Sequence, residues 1–101
     1  MISQEAKEEI LRFVDEIVPP GTTAVWLAGS RAKGTARLDS DWDVVAFHPA
    51  ASRNSMDVFL SNQIREHSLG GEIELIIVHP VHWNDSRPYF VDLRRFGIQL
   101  R

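Results

Sequence analysis

The chain has 101 residues, 44% of them hydrophobic, with a formal net charge of −3 and no cysteine. One domain with one ordinary core is the size limit, since a chain this short buries roughly 60–70% of its unfolded surface. A second substrate domain, a disulfide framework, a Cys-ligated zinc site and binding to nucleic acid through bulk positive charge are all excluded.

The cations that exist are grouped: Arg31, Lys33 and Arg37 in one stretch, Arg94, Arg95 and Arg101 near the C-terminus. The first residues, MISQEAKEEI, are charged and lack the apolar core of a signal peptide. No apolar run, Leu75 to Val78 among them, is nearly long enough to span a bilayer. A cytoplasmic location is the expectation.

Residues 3 to 18 carry Ile10, Phe13, Val14 and Ile17 at helical spacing, with Ser3 as N-cap and Glu5 at the positive end. Pro19-Pro20-Gly21 stops that helix. Thr22 to Ala28 (TTAVWLA) is β-branched and apolar, which predicts a buried strand running into Gly29-Ser30. A short helix from Ser30 to about Gly34 follows. Trp42 to Phe47 (WDVVAF) predicts a second strand, closed by His48-Pro49.

Ser52 or Ser55 is placed to cap a helix over about 56 to 68, with Met56, Leu60 and Ile64 on one face. Gly70-Gly71 turns the chain into a third strand, Glu72 to Val78 (EIELIIV), stopped by His79-Pro80. Asn84, Asp85 or Ser86 caps a last helix that tolerates Pro88 in its first turn. That helix packs through Phe90, Leu93 and Phe96 and stops at Gly97. The order α-β-α-β-α-β-α predicts an α/β (α+β) domain with a small mixed sheet covered by helices.

Chemistry concentrates in residues 29 to 43, GSRAKGTARLDSDWD. Side chains at i and i+2 of a strand share a face, so Asp41 and Asp43 project together if the strand reaches back that far. Adjacent carboxylates repel unless a positive charge lies between them, and a hard cation with oxygen ligands is the common solution. Glu74 is a carboxylate inside an otherwise apolar strand, where an unpaired charge is costly. If the second and third strands are neighbours, Glu74 lies about 5 Å from Asp43. Asp41, Asp43 and Glu74 together could hold two metals roughly 4 Å apart, the arrangement used for displacement at phosphorus.

Gly29 lets a phosphate approach the backbone, Ser30 offers a hydroxyl, and Arg31 or Lys33 offers positive charge. The string also has the outline of a P-loop, but Thr35 stands where that loop needs Lys after its second glycine, so that reading is rejected. The bland alternatives are a turn glycine and aspartates engaged in turn or capping chemistry.

Gly29-Ser30, a ten-residue gap, then Asp41-Trp42-Asp43 in a strand resembles the signature of the polymerase-beta-like nucleotidyltransferases. With Arg31, Gly34, Ala36, Asp39 and Ser40 also in place, the chain looks like the minimal nucleotidyltransferase branch along essentially its whole length. The resemblance implies a nucleotidyltransferase fold and one such domain over residues 1–101. It implies phosphate contacts from Gly29 and Ser30, with Arg31 as a further candidate, and Mg2+ held by Asp41, Asp43 and the third-strand carboxylate, Glu74. It implies transfer of a nucleoside monophosphate from ATP or another NTP to a hydroxyl, with release of pyrophosphate. It also implies a helical HEPN-type partner, to which such proteins act as antitoxins, some by adding AMP to a tyrosine of the toxin.

Glu74 departs from the pattern, where Asp is usual. It can serve as ligand or as base, or mark a domain that has lost activity and neutralises its partner by binding alone. Glu72, at the strand's edge, is the weaker substitute. A small-molecule acceptor such as an aminoglycoside needs a wall this short chain lacks, unless a partner or a second copy supplies one. His79 and His82 are read as a surface turn, and His48 as a lone histidine at a strand end. Trp26 and Trp42 are read as core, Trp83 as an exposed contact, and Arg94-Arg95 as a solvated helix face.

Overall fold

The computed structural model describes residues 2–53 and 70–101. The helix expected over about 56 to 68, with Met56, Leu60 and Ile64 on one face, lies outside the described residues.

Helix α1 spans Gln4–Ile17. The Ser3 hydroxyl accepts from the Ala6 amide at 3.1 Å, which satisfies one of the orphan donors of the first turn. Ala6, Ile10, Phe13 and Val14 form its buried stripe. Four strands follow: β1 Ala24–Ala28, β2 Trp42–Phe47, β3 Ile73–Val78 and β4 Ile98–Gln99. They form one sheet in the order β3-β2-β1-β4. β1 runs antiparallel to β2 and β4, while β2 and β3 are parallel, so the sheet is mixed as expected.

Strand alternation sorts the side chains onto two faces. Val25, Leu27, Val44, Ala46, Ile73 and Leu75 share a core with the α1 stripe. The opposite face carries Ala28, Val45, Phe47 and Val78, which pack with Phe90 and Leu93 of helix α3, Pro88–Phe96. Burying Phe90 and Leu93 stabilises this second layer by about 1.5–3 kcal/mol each. Between β1 and β2 lies a short helix α2, Gly29–Lys33, closed by Gly34 in the left-handed conformation.

Several expectations change at the C-terminal end. No strand is expected beyond the helix stop at Gly97, but Leu27 pairs with Ile98 and Trp26 with Gln99. A two-residue strand has no periodicity to read; the open edge of β1 creates it. The α3 N-cap is Arg87, with no side-chain capping bond. Asp85 instead accepts from the Arg87 amide at 2.9 Å and from its guanidinium. Gly97 ends α3 for reasons of space rather than conformation. Its φ is −59°, but a Cβ there would stand 2.4 Å from the Leu93 carbonyl oxygen and 3.1 Å from the Trp26 ring.

His79 and His82 are buried, not part of a surface turn. His79 caps a 3-10 helix, Pro80–Asn84, that contains His82, and His79 Nδ1 accepts from the Val81 amide at 3.0 Å. His48 is likewise buried, bonded to the Pro20 carbonyl and the Ala50 amide. Trp83 is half-buried against Trp26, ring centroids 4.7 Å apart, rather than free for a partner. Arg94 is not a plain solvated residue either: its guanidinium donates to the carbonyls of Trp83 and Asp85 and ties the 3-10 helix to α3.

Candidate active site

Asp43 is the second residue of β2, and alternation sends it to the face opposite buried Trp42 and Val44. It therefore lies on the α3 side of the sheet. In register it stands between Ala28 of β1 and Glu74 of β3. Glu74 projects to the same face, and its carboxyl lies beside that of Asp43. Asp43 is raised from 3.8 to about 6. Burial is the largest cause, then the hydrogen bond and the charge of Glu74, then the charge of Asp41. Negative charge without a counter-charge is the electrostatic character of this spot.

Asp41 lies one residue before β2 and is exposed. Its charge reaches Asp43, yet among the described residues no group of three His, Cys, Asp or Glu side chains stands together as a metal-holding cluster. The pair Asp43–Glu74 is assembled by the sheet; the third carboxylate is carried by the loop.

β1 ends at Ala28, directly opposite Asp43, and the chain turns at Gly29 with φ +66°. A Cβ at that position would stand 2.1 Å from Asp43 Oδ2. The glycine is required twice over, for its left-handed backbone and because the turn lies against the carboxylate. The glycine turn therefore lies against Asp43. Ser30 follows, half-buried in the first turn of α2.

Arg31 has a different placement from the one expected. Its Nη2 donates to the carbonyls of Leu38 at 3.1 Å and Ser40 at 2.9 Å, and its Nε to Ser40 at 3.3 Å. Its guanidinium carbon lies 4.2 Å from the centre of the Trp42 ring. The side chain braces the segment that leads into Asp41, and the planar fork suits that task. Lys33 pairs with Asp92 of α3 at 3.0 Å. Such an exposed pair is worth up to about 1 kcal/mol, so it exchanges partners readily.

A cleft of about 90 Å³ opens between α2 and α3, with Gly29, Lys33, Asp43, Tyr89, Asp92 and Phe96 in its walls. The Tyr89 hydroxyl is buried and has no hydrogen-bond partner among the described residues. Burial pushes the phenol up to about 12, with the charges of Asp43 and Glu74 adding to it. Sequence reasoning passed over Tyr89. Its neighbour Phe90 marks the packed side of α3, but no spacing connects position 89 to positions 43 and 74.

The family model described as a nucleotidyltransferase domain matches residues 7–94. The chain belongs to that family. No curated protein and no solved structure matches it. The matched span runs from α1 to α3 and takes in the Gly29 turn, both aspartates and Glu74. The four-stranded mixed sheet flanked by helices agrees with the nucleotidyltransferase fold. As a nucleotidyltransferase domain the chain is a transferase of nucleotides. Its carboxylates fit a hard divalent cation: the donors are oxygen only, the charge between them is uncompensated, and a cation shared with phosphates needs one or two carboxylates from the protein. Among the described residues no helix is long and apolar enough to cross a membrane.

Proposed function

We propose that this nucleotidyltransferase domain transfers a nucleoside monophosphate, AMP from ATP, to a hydroxyl of a partner protein, a helical HEPN-type toxin to which it is the antitoxin. The observation that carries this reading is the Asp43–Glu74 pair, adjacent in register and lying under the Gly29 turn. The bare Gly29 backbone lets the turn lie against Asp43, so a phosphate bound at that turn would stand beside the carboxylates, with the Ser30 hydroxyl one residue away. Lys33, held only by an exposed ion pair, is free to turn from Asp92 to a triphosphate. Asp43, Glu74 and Asp41 would hold Mg2+, which when bound supplies charge neutralisation at the phosphates and alignment of acceptor and leaving group.

In the transfer, the acceptor oxygen bonds to the α-phosphorus while the bond from that phosphorus to the bridging oxygen breaks. Pyrophosphate leaves, and the acceptor proton passes to a carboxylate oxygen of Glu74 or to solvent. The site is shallow and the domain is small, which supports an acceptor brought by a macromolecule that completes the wall, in the cytoplasm. Label transfer from alpha-labelled ATP to a co-expressed helical partner tests this. Wild type should label it, and Asp43→Asn should reduce labelling by at least 100-fold, in line with loss of a group acting in the transition state. Equal labelling by both would remove the catalytic reading.

A second reading has its own support. The third carboxylate is not gathered with the pair, and Glu replaces the usual Asp. A domain that binds and covers its partner without chemistry fits those two facts. Calorimetry separates the readings: Mg2+-dependent ATP binding supports transfer, and tight partner binding with no nucleotide binding supports cover alone.

A further inference from the structure

Tyr89 is the chain's single tyrosine, and its hydroxyl is shut away from solvent with no partner among the described residues. An unpaired buried hydroxyl costs about 1–3 kcal/mol, so its persistence asks for a state in which the bond is made. The ring enters from the first turn of α3, on the sheet face that carries Asp43 and Glu74, and it shares the cleft wall with Asp43. Both carboxylates act on the phenol electrostatically. In the described state the hydroxyl bonds to neither carboxylate.

We propose that Tyr89 is a positioning residue whose hydroxyl donates a hydrogen bond to the Asp43–Glu74 pair once a divalent cation is bound. The reading of Asp43 and Glu74 as cation ligands underlies this step. A cation held by Asp43 and Glu74 would reorient the two carboxylates. A carboxylate oxygen that the cation leaves unused would then turn to accept from Tyr89, whose hydroxyl is already desolvated in the same cleft. Outer partners of this kind fix the orientation of ligating carboxylates, and losing one typically costs 10–100-fold in metal affinity.

The test uses the whole chain with Mg2+ and Mn2+ as probes. Calorimetry should give Tyr89→Phe a metal affinity about 10-fold weaker than wild type. Its metal-free thermal midpoint should be equal or higher, because the orphan hydroxyl is gone. A tyrosine with a purely packing role would leave metal affinity unchanged. Labelling the tyrosine Cζ with 13C gives a single resonance, which should shift on metal addition in wild type and stay in place in Asp43→Asn. Wild-type metal binding with an unchanged Tyr89→Phe affinity, or with a stationary Cζ signal, overturns the role of Tyr89 and leaves the cation site standing. Absence of metal binding by wild type overturns both.

Discussion

Gly29 and Asp43 are the two residues whose contact defines the site, and each constrains the other. Ala at position 29 must adopt φ near +66° and stand against Asp43 Oδ2. The left-handed backbone costs about 1–2 kcal/mol, which urea denaturation should read as a lowered midpoint with an unchanged slope. The steric conflict is relieved by swinging the Asp43 carboxylate aside. Gly29→Ala should therefore lose transfer activity far beyond its loss of stability. The glycine and both aspartates are visible in the string GSRAKGTARLDSDWD, but that a glycine backbone touches a carboxylate fourteen positions on is a fact of strand pairing. Tyr89 was out of reach for the same reason: a lone tyrosine in a helix gives no spacing to read.

Among the elements, the segment from Leu38 to Asp41 is held by one side chain more than by its own sequence. Arg31 reaches two carbonyls and the Trp42 ring. The change Arg31→Lys keeps the charge but loses the fork, and it should cost about 1–2 kcal/mol. A phosphate contact would predict the reverse emphasis, with stability kept and nucleotide affinity lost. Thermal denaturation and ATP calorimetry on this one variant decide between the two tasks. α1, β2 and β3 were legible because each carries a period longer than its end effects. β4 and the 3-10 helix were not, since two and five residues hold too little pattern against their neighbours. Trp83 and Arg94 were misjudged with them, because each owes its burial or bonding to how those short pieces fold back on α3 and β1.

For the whole molecule, the acidic pair sets the dependence of stability on pH. A carboxyl raised in the folded state, from 3.8 to about 6 for Asp43, stabilises the fold below pH 3.8 and loses that contribution as pH rises through about 6. The nominal value is about 3 kcal/mol, and screening at a half-exposed group reduces it to about 1 kcal/mol. Without metal, the thermal midpoint of wild type should rise relative to Asp43→Asn as pH falls from 7 to 4. Saturating Mg2+ should remove that difference at pH 7. Asp85 acts in the opposite sense: hydrogen bonds from Arg87 hold it well below the usual carboxylate range. Its contribution is present above about pH 4 and is lost under more acid conditions.

Composition and periodicity alone determined the class of fold, one helix-covered mixed sheet, because hydrophobic spacing is written residue by residue along the chain. They also determined which side chains could do chemistry, since few residue types suit phosphate and a hard cation. Tertiary structure decided which of them meet. The register of β1, β2 and β3 put Asp43 beside Glu74 and under Gly29, left Asp41 outside the strand, turned Arg31 to the backbone, and brought in Tyr89 from α3. Pairing across the sheet joins residues far apart in sequence, and no local pattern encodes the partner.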